Sequence, residues 1–319
     1  MNTFVIDPAL REALKQRSNL RGSLAVLRDW GLFLLAFSIS LFWPHPVSYL
    51  LSVLLLSGVQ VGLAILMHEA AHRALFANAR VNDWVGQYLC ALPIFNSMPM
   101  YRSYHMAHHR LAGTRADPDF VMVEHYPVRK GSLRRKLLRD LIGITGFKAL
   151  IGLNVMIAGY WKYQQNGVVE RVEYPSPQGL LGHLAIYRRN GGLIAIGWQL
   201  EIFGALLSLH HGSLYLLWAL AYLIPFPLMM RIRVLADHAV VENPLSTNPI
   251  EHARSTRANW LEKLLVAPHN EHYHLEHHLM PSAPFWNLPK LHAALIEQNA
   301  IPAANTANGM LDVLRRATR

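Results

Sequence analysis

Cysteine is almost missing from this sequence: Cys90 is the only one. A lone thiol excludes a disulfide framework and any cysteine-based metal site, and Cys90 reads as a small apolar filler. Charge is scarce as well. Asp, Glu, Lys and Arg make up 16% of the 319 residues, against about 25% in an ordinary soluble domain. The N-terminal stretch has no short apolar core followed by a small-residue cleavage site, so no signal peptide is expected. There is no internal repeat and no low-complexity tract, which leaves one domain over residues 1–319 as the expectation. Acidic residues are too few to balance the basic ones, and the net charge is +10.

Apolar residues fill the space that charge leaves, at 52% of the chain. Low charge with high apolar content points to an integral membrane protein. Four stretches are candidate spans: about Trp30 to Trp43, Val47 to Met67, Leu193 to Leu209 and Leu214 to Met230. Each lies near the short end of the ~17–25 residues that cross a bilayer. Pro44-His45-Pro46 joins the first two and His210-His211-Gly212-Ser213 joins the last two, which leaves room only for tight helical hairpins. Of the 30 Lys and Arg, 5 precede the first span, 16 lie between Arg73 and Arg189, and 9 follow the fourth span. Neither joint has any. The positive-inside rule therefore puts the joints outside, and both termini and the middle segment in the cytoplasm. The basic balance is then a lipid-facing feature and does not call for nucleic acid as a partner. The expected fold is all-α, with four transmembrane helices in two hairpins under a cytoplasmic helical cap. Trp84 to Pro99 reads as a re-entrant or interfacial helix, residues 137–161 as an amphipathic surface helix, and 166–180 as a surface loop.

Histidine is the residue in excess, with 18 copies. Eight sit in three boxes: His68-Glu-Ala-Ala-His72, His105-Met-Ala-His108-His109 and His274-Leu-Glu-His277-His278. Spacings of three and four put the imidazoles of a box on one side of a helix. So many neutral imidazoles are a transition-metal signal. The expected topology also sorts every box, together with His238, to the cytoplasmic side. His68-Glu-x-x-His72 matches the zinc-protease signature with Glu69 as general base. A single zinc would leave the remaining boxed histidines unexplained, so the number of rings suits two metal ions better. Glu69 then becomes a helix residue beside the ligands. Iron fits imidazole donors and can activate dioxygen, but ligand type alone does not exclude zinc, copper or manganese. Rings held this way need acceptors for their second nitrogen. Asp117, Asp119, Asp237, Glu271 and Glu276 are near enough in sequence to serve.

The three boxes resemble those of the membrane fatty acid desaturase family, which includes related hydroxylases and 1-alkene-forming decarboxylases. Gly113-Thr-Arg-Ala-Asp117-Pro-Asp119 is similar to the family's continuation of the second box. Asn270 to Pro281 resembles its C-terminal signature. Arg233-Val-Leu-Ala-Asp237-His238 resembles its Arg-x-x-x-Glu-His element, with Asp in place of Glu. The likeness runs from about residue 60 to residue 295. It implies two iron ions held by His68, His72, His105, His108, His109, His238, His274, His277 and His278, with no catalytic residue beyond these ligands. It also implies a fatty acyl substrate, dioxygen as co-substrate, and a bacterial inner membrane or equivalent. Some relatives have a water-linking Asn at the position of Val234 here. No haem-binding His-Pro-Gly-Gly and no flavin fingerprint occurs, so electrons are expected from a separate ferredoxin- or cytochrome-type donor. Desaturation is the favoured outcome. Hydroxylation, acetylenic-bond formation and decarboxylation to a terminal alkene use the same ligands and stay open, as do a membrane zinc protease and a non-enzymatic metal binder.

The remaining histidines are expected to be structural. His269 and His272 approach the third box, while His45, His125, His183, His210, His211, His252 and His292 have none. Glu201 lies inside the third candidate span, where an acid is costly and is either functional or paired, with Gln199 as the nearest partner.

Overall fold

The computed structural model describes residues 4–172 and 179–319. It is mostly helical. Among the described residues, the strands named are two short ones, Ser255–Thr256 and Thr306–Ala307, paired in parallel.

The first long helix, Asn19–Phe42, starts where the Ser18 hydroxyl accepts the Arg21 N–H at 3.3 Å. It begins eleven residues before the first apolar stretch, because its first three turns are amphipathic and pack on the protein. At Gly22 a Cβ would stand 2.2 Å from the Leu75 carbonyl, so glycine lets the two backbones touch. Trp43 and Pro44 end the helix, and His45 caps the next with Pro46 in its first turn. Ser40 and Ser52 bond across the hairpin at 2.7 Å, and Ser52 also donates to the Ala36 carbonyl at 2.6 Å. These bonds satisfy hydroxyls where lipid offers no partner.

The second helix, Pro46–Ala71, is the axis of the molecule. Its 26 residues extend about 39 Å, enough for a hydrocarbon core of about 30 Å. From Leu56 to Ala71 every residue is buried. Around this half pack the first helix, the last spanning segment and the box-bearing helix Met98–Leu111.

The last spanning segment, Gly212–His238, is built from a 3-10 turn and two helices, Tyr215–Leu223 and Pro225–His238, with the break at Ile224 before Pro225. Proline removes a helical donor there and tips the chain. The helix then runs unbroken past Met230, the end of the fourth apolar stretch, to His238.

Among the described residues, three helices are long and apolar enough to cross a membrane. Two bent pairs, Lys130–Leu141 with Ile144–Ile157 (67°) and Gly179–Arg189 with Gly192–Ser208 (66°), would raise the number to five if each is one span. The Leu193 to Leu209 stretch is thus a helix of 17 residues that reaches spanning length only with its bent partner. Residues 137–161 likewise form parts of two helices hinged at Gly143, not one. Trp84 to Pro99 is a short helix, a π-helical turn at Gly86–Ala91 and a 3-10 turn at Leu92–Ile94. The loop expected at 166–180 lies partly outside the described residues. Cys90 is fully buried against apolar neighbours, as a filler would be.

Candidate metal centre

Nine imidazoles from four helices meet at the C-terminal end of Pro46–Ala71. His68 and the C-capping His72 come from that helix. His105, His108 and His109 come from Met98–Leu111, His238 from the end of Pro225–His238, and His274, His277 and His278 from His274–Leu279. They form two groups, with the donor atoms in each within 4.8 Å of one another: His68, His72, His105, His109 and His277 in one, and His108, His238, His274 and His278 in the other.

The boxes do not map one to one onto the groups. His105 and His109 share a group, and so do His274 and His278. The remaining ring of each three-histidine box, His108 or His277, crosses to the other group, while His68 and His72 of the first box stay together. Residues four apart lie about 40° apart around a helix, whereas adjacent residues lie about 100° apart. The two adjacent histidines that end each three-histidine box therefore face different centres.

Ring nitrogens within the groups stand unusually close. Nε2 to Nε2 distances are 2.9 Å for His72–His105, 3.0 Å for His105–His109, 3.0 Å for His109–His277, 3.0 Å for His238–His274 and 3.2 Å for His108–His278. In the second group these contacts are not hydrogen bonds. His274 directs Nδ1 at a Glu271 carboxylate oxygen at 3.1 Å, and His238 directs Nδ1 at the His252 carbonyl at 3.0 Å. Those oxygens accept, so both Nδ1 atoms carry the proton and both Nε2 atoms present lone pairs to each other. His108 repeats the pattern, with Nδ1 2.8 Å from Asp117. Lone pairs at 3 Å repel unless a cation lies between them. A metal–imidazole bond of about 2.1 Å separates neighbouring donors at a right angle by about 3.0 Å. The spacing is therefore that of coordination-polyhedron edges, and the residues fit two metal ions. His68 adds to the case: it is fully buried and neither ring nitrogen has a hydrogen-bond partner in the protein.

The surroundings hold these rings neutral and oriented. Burial pushes His72, His105, His109, His277 and His278 well below the usual imidazole range, and neighbouring rings push them further. His108 goes the other way: burial alone would lower it, but Asp117 and Asp119 raise it. Glu271 is buried and would be raised by burial, yet Arg233 bonds it and holds it well below the carboxylate range. It stays an anion, able to accept from His274.

The other expected acceptors divide. Asp119 accepts from Tyr104, with its nearer oxygen 3.6 Å from His108 Nδ1. Asp237 lies 3.8 Å from His274 and 3.5 Å from Arg233. Glu276 faces away and accepts from Ser255 and from His292 Nδ1 at 2.6 Å. Glu69 accepts the Phe285 N–H at 3.1 Å and stands 3.8 Å from His68. His269 pairs with Asp29 at 2.7 Å, and His272 belongs to neither group. Glu201 is exposed on the helix surface, while Gln199 is buried and bonds Pro93, Tyr215 and Trp218.

Sequence reasoning missed three supports. Arg254 is 1% exposed and donates to the carbonyls of Leu235, Ala236, Ala239 and Val240, capping the helix that ends in His238. Tyr101 stacks on His105 at 5.1 Å, and a histidine or aromatic four residues before a box is the only signal that could have marked it. His252 lies against His278. A cavity of about 480 Å³ opens beside the first group, lined by His72, Arg73, Arg102, Met106 and Pro281 among others.

The chain is 27% identical to a dihydrorhizobitoxine desaturase of Bradyrhizobium elkanii, over 88% of this chain and 78% of that protein. It is 28% identical to beta-carotene ketolases of two Paracoccus strains, one over 77% of this chain and 79% of the relative, the other over 85% and 91%. The sequence model of the fatty acid desaturase family matches residues 41–305. Box spacing, converging imidazoles and this match agree, and the chain belongs to the fatty acid desaturase family.

Proposed function

We propose that the protein is an integral membrane oxidoreductase that uses dioxygen and two iron ions to oxidise an unactivated C–H bond of a fatty acyl chain, with desaturation as the outcome. The single observation that carries this reading is the pair of imidazole groups with donor atoms about 3 Å apart. His68, His72, His105, His109 and His277 would hold one ion, and His108, His238, His274 and His278 the other. Iron in such a set supplies dioxygen activation.

The protein's own part is to hold and to exclude. Asp117, Glu271 and the His252 carbonyl fix which nitrogen of each ring is free. Burial of His68, His108, His274 and His277 keeps bulk water from the centre and leaves an apolar chain a dry place to react. The apolar surroundings along Pro46–Ala71 suit an acyl tail. The spans would put both termini and the centre on the cytoplasmic side, in one domain, with four spans under a helical cap. The basic face would meet anionic lipid and a ferredoxin- or cytochrome-type donor.

A second reading is oxygen insertion in place of double-bond formation. The two ketolases favour it, because relatives at 28% identity, against 27% for the desaturase, bear the name of an oxygen-adding enzyme. Mass spectrometry of products formed with reductant, donor protein and oxygen-18 gas separates the two. An unsaturated product of unchanged carbon number and no label supports desaturation. A labelled alcohol or ketone supports insertion, and an alkene one carbon shorter supports decarboxylation. Turnover without dioxygen would defeat all of them.

A further inference from the structure

His252 stands outside both histidine groups, yet two of the four rings of the second group rest on it. It ends the short helix Pro249–His252 and is 4% exposed. Its Nδ1 lies 2.7 Å from the Ser246 carbonyl oxygen. A carbonyl only accepts, so the proton is on Nδ1 and the lone pair on Nε2. That Nε2 faces His278 Nδ1 at 3.4 Å. His278 then donates from Nδ1 and turns its Nε2 lone pair toward His108 Nε2, 3.2 Å away. The backbone of the same residue does this a second time, since the His252 carbonyl accepts from His238 Nδ1 at 3.0 Å.

The segment that presents His252 is itself clamped. Asn248 caps its helix, and Asn305 Nδ2 donates to the Ile250 carbonyl at 2.6 Å. Gly113, just after the second box, has φ +77°. A Cβ there would come within 1.8 Å of the Ser246 oxygen and 3.0 Å of His252 Nδ1. The glycine thus lets the loop after the second box press against the Ser246–His252 bond. A void of about 20 Å³ beside it, lined by Gly113, Asp117, His238 and His252 among others, is the size of one water.

We propose that His252 is a positioning residue for the second metal ion: the chain Ser246 carbonyl, His252, His278 fixes the tautomer and ring direction of His278. The inference rests on reading the second group as a metal site.

Two substitutions separate the hydrogen bonds. In His252→Asn the amide can still reach the Ser246 carbonyl but is too short for His278. In His252→Gln the amide oxygen takes the place of Nε2 and can accept from His278. Full-length protein in detergent would be stripped of metal and titrated with Co²⁺, whose visible absorption reports ligand geometry. His252→Asn is expected to bind the second Co²⁺ about 10–100-fold more weakly, as loss of an outer-shell partner does elsewhere. Its spectrum for that ion should change while binding of the first ion does not. His252→Gln should restore both affinity and spectrum. Equal second-ion affinity in His252→Asn and wild type would overturn the proposal, as would equal impairment in both variants. So would failure of either metal-free variant to fold, or a large drop in its unfolding temperature, because the residue would then be structural. Wild type binding fewer than two Co²⁺ would instead remove the two-metal reading.

Discussion

At the residue scale the centre is a problem of proton placement. Each ring has one proton to give, and the structure directs the traceable ones away from the partner rings. His277→Ala removes a donor from a group whose other members have no replacement. Bound iron is expected to fall below two per chain and product formation by more than ~100-fold, while His125→Ala, 78% exposed in its side chain, leaves both unchanged. Iron assay and product analysis of the two variants check this. The same burial predicts a pH response. His72, His105, His109, His277 and His278 are held below the imidazole range in the fold and return to about 6.5 when unfolded. Below that pH the unfolded chain binds protons that the fold refuses, so stability falls with falling pH. His108, raised in the fold, contributes in the opposite direction, and five rings outweigh one. Metal-free protein should therefore unfold at progressively lower temperature from pH 7 to pH 5.5, and a flat or rising midpoint would contradict the argument.

At the element scale, helices deliver the rings and their ends are where the design is decided. Arg254 is a buried cation whose partners are the four carbonyls that close Pro225–His238. Burial lowers it to about 10, so it is charged at neutral pH. The negative end of the helix dipole holds it there. Its own backbone bonds Asp237 and Leu275, so it ties the end of one box element to the start of another. In Arg254→Met, four carbonyls lose a donor at about 1–3 kcal/mol for each one left unsatisfied. A loss of at least ~3 kcal/mol is expected in thermal unfolding, with partial recovery in Arg254→Lys. A change below 1 kcal/mol would refute the capping role. The box helices were legible in the sequence because histidine spacing repeats the helical period. The division of the second and third boxes between two groups was not, because it depends on where the facing helices stand. Arg254 and His252 were illegible for a related reason: single residues in a loop or at the end of a one-turn helix make their contacts across long gaps in sequence, and spacing says nothing of those. The apolar stretches marked the spanning helices, but their bounds shifted wherever polar turns pack on protein instead of lipid, as at Asn19–Phe42, or where a proline breaks the run, as at Pro225.

At the scale of the whole molecule, the proposed topology puts the histidine centre and the basic surface on one side of a membrane. With Cys90 replaced by Ala, a cysteine at His211 should react with an impermeant reagent added to intact cells. A cysteine at His125 should react only after lysis. The reverse pattern would invert the proposed orientation. Metal should also act as a structural element, since both groups join segments far apart in the chain. Prolonged chelation is expected to lower the unfolding midpoint, and restored iron to raise it again, because a ligand that binds only the fold stabilises it. A midpoint unmoved by chelation, with iron shown to be gone, would separate the centre from stability.

The division of the boxes has a consequence for how the protein is made. One group joins His68 and His72 to His277, and the other joins His108 to His274 and His278. Both wait for the last box. A ribosome that has not passed residue 278 has made neither site, however well the first hairpin has already inserted. If the two groups hold metal as proposed, loading cannot be completed until the third box has been made, and a chain cut short before it lacks part of both sites.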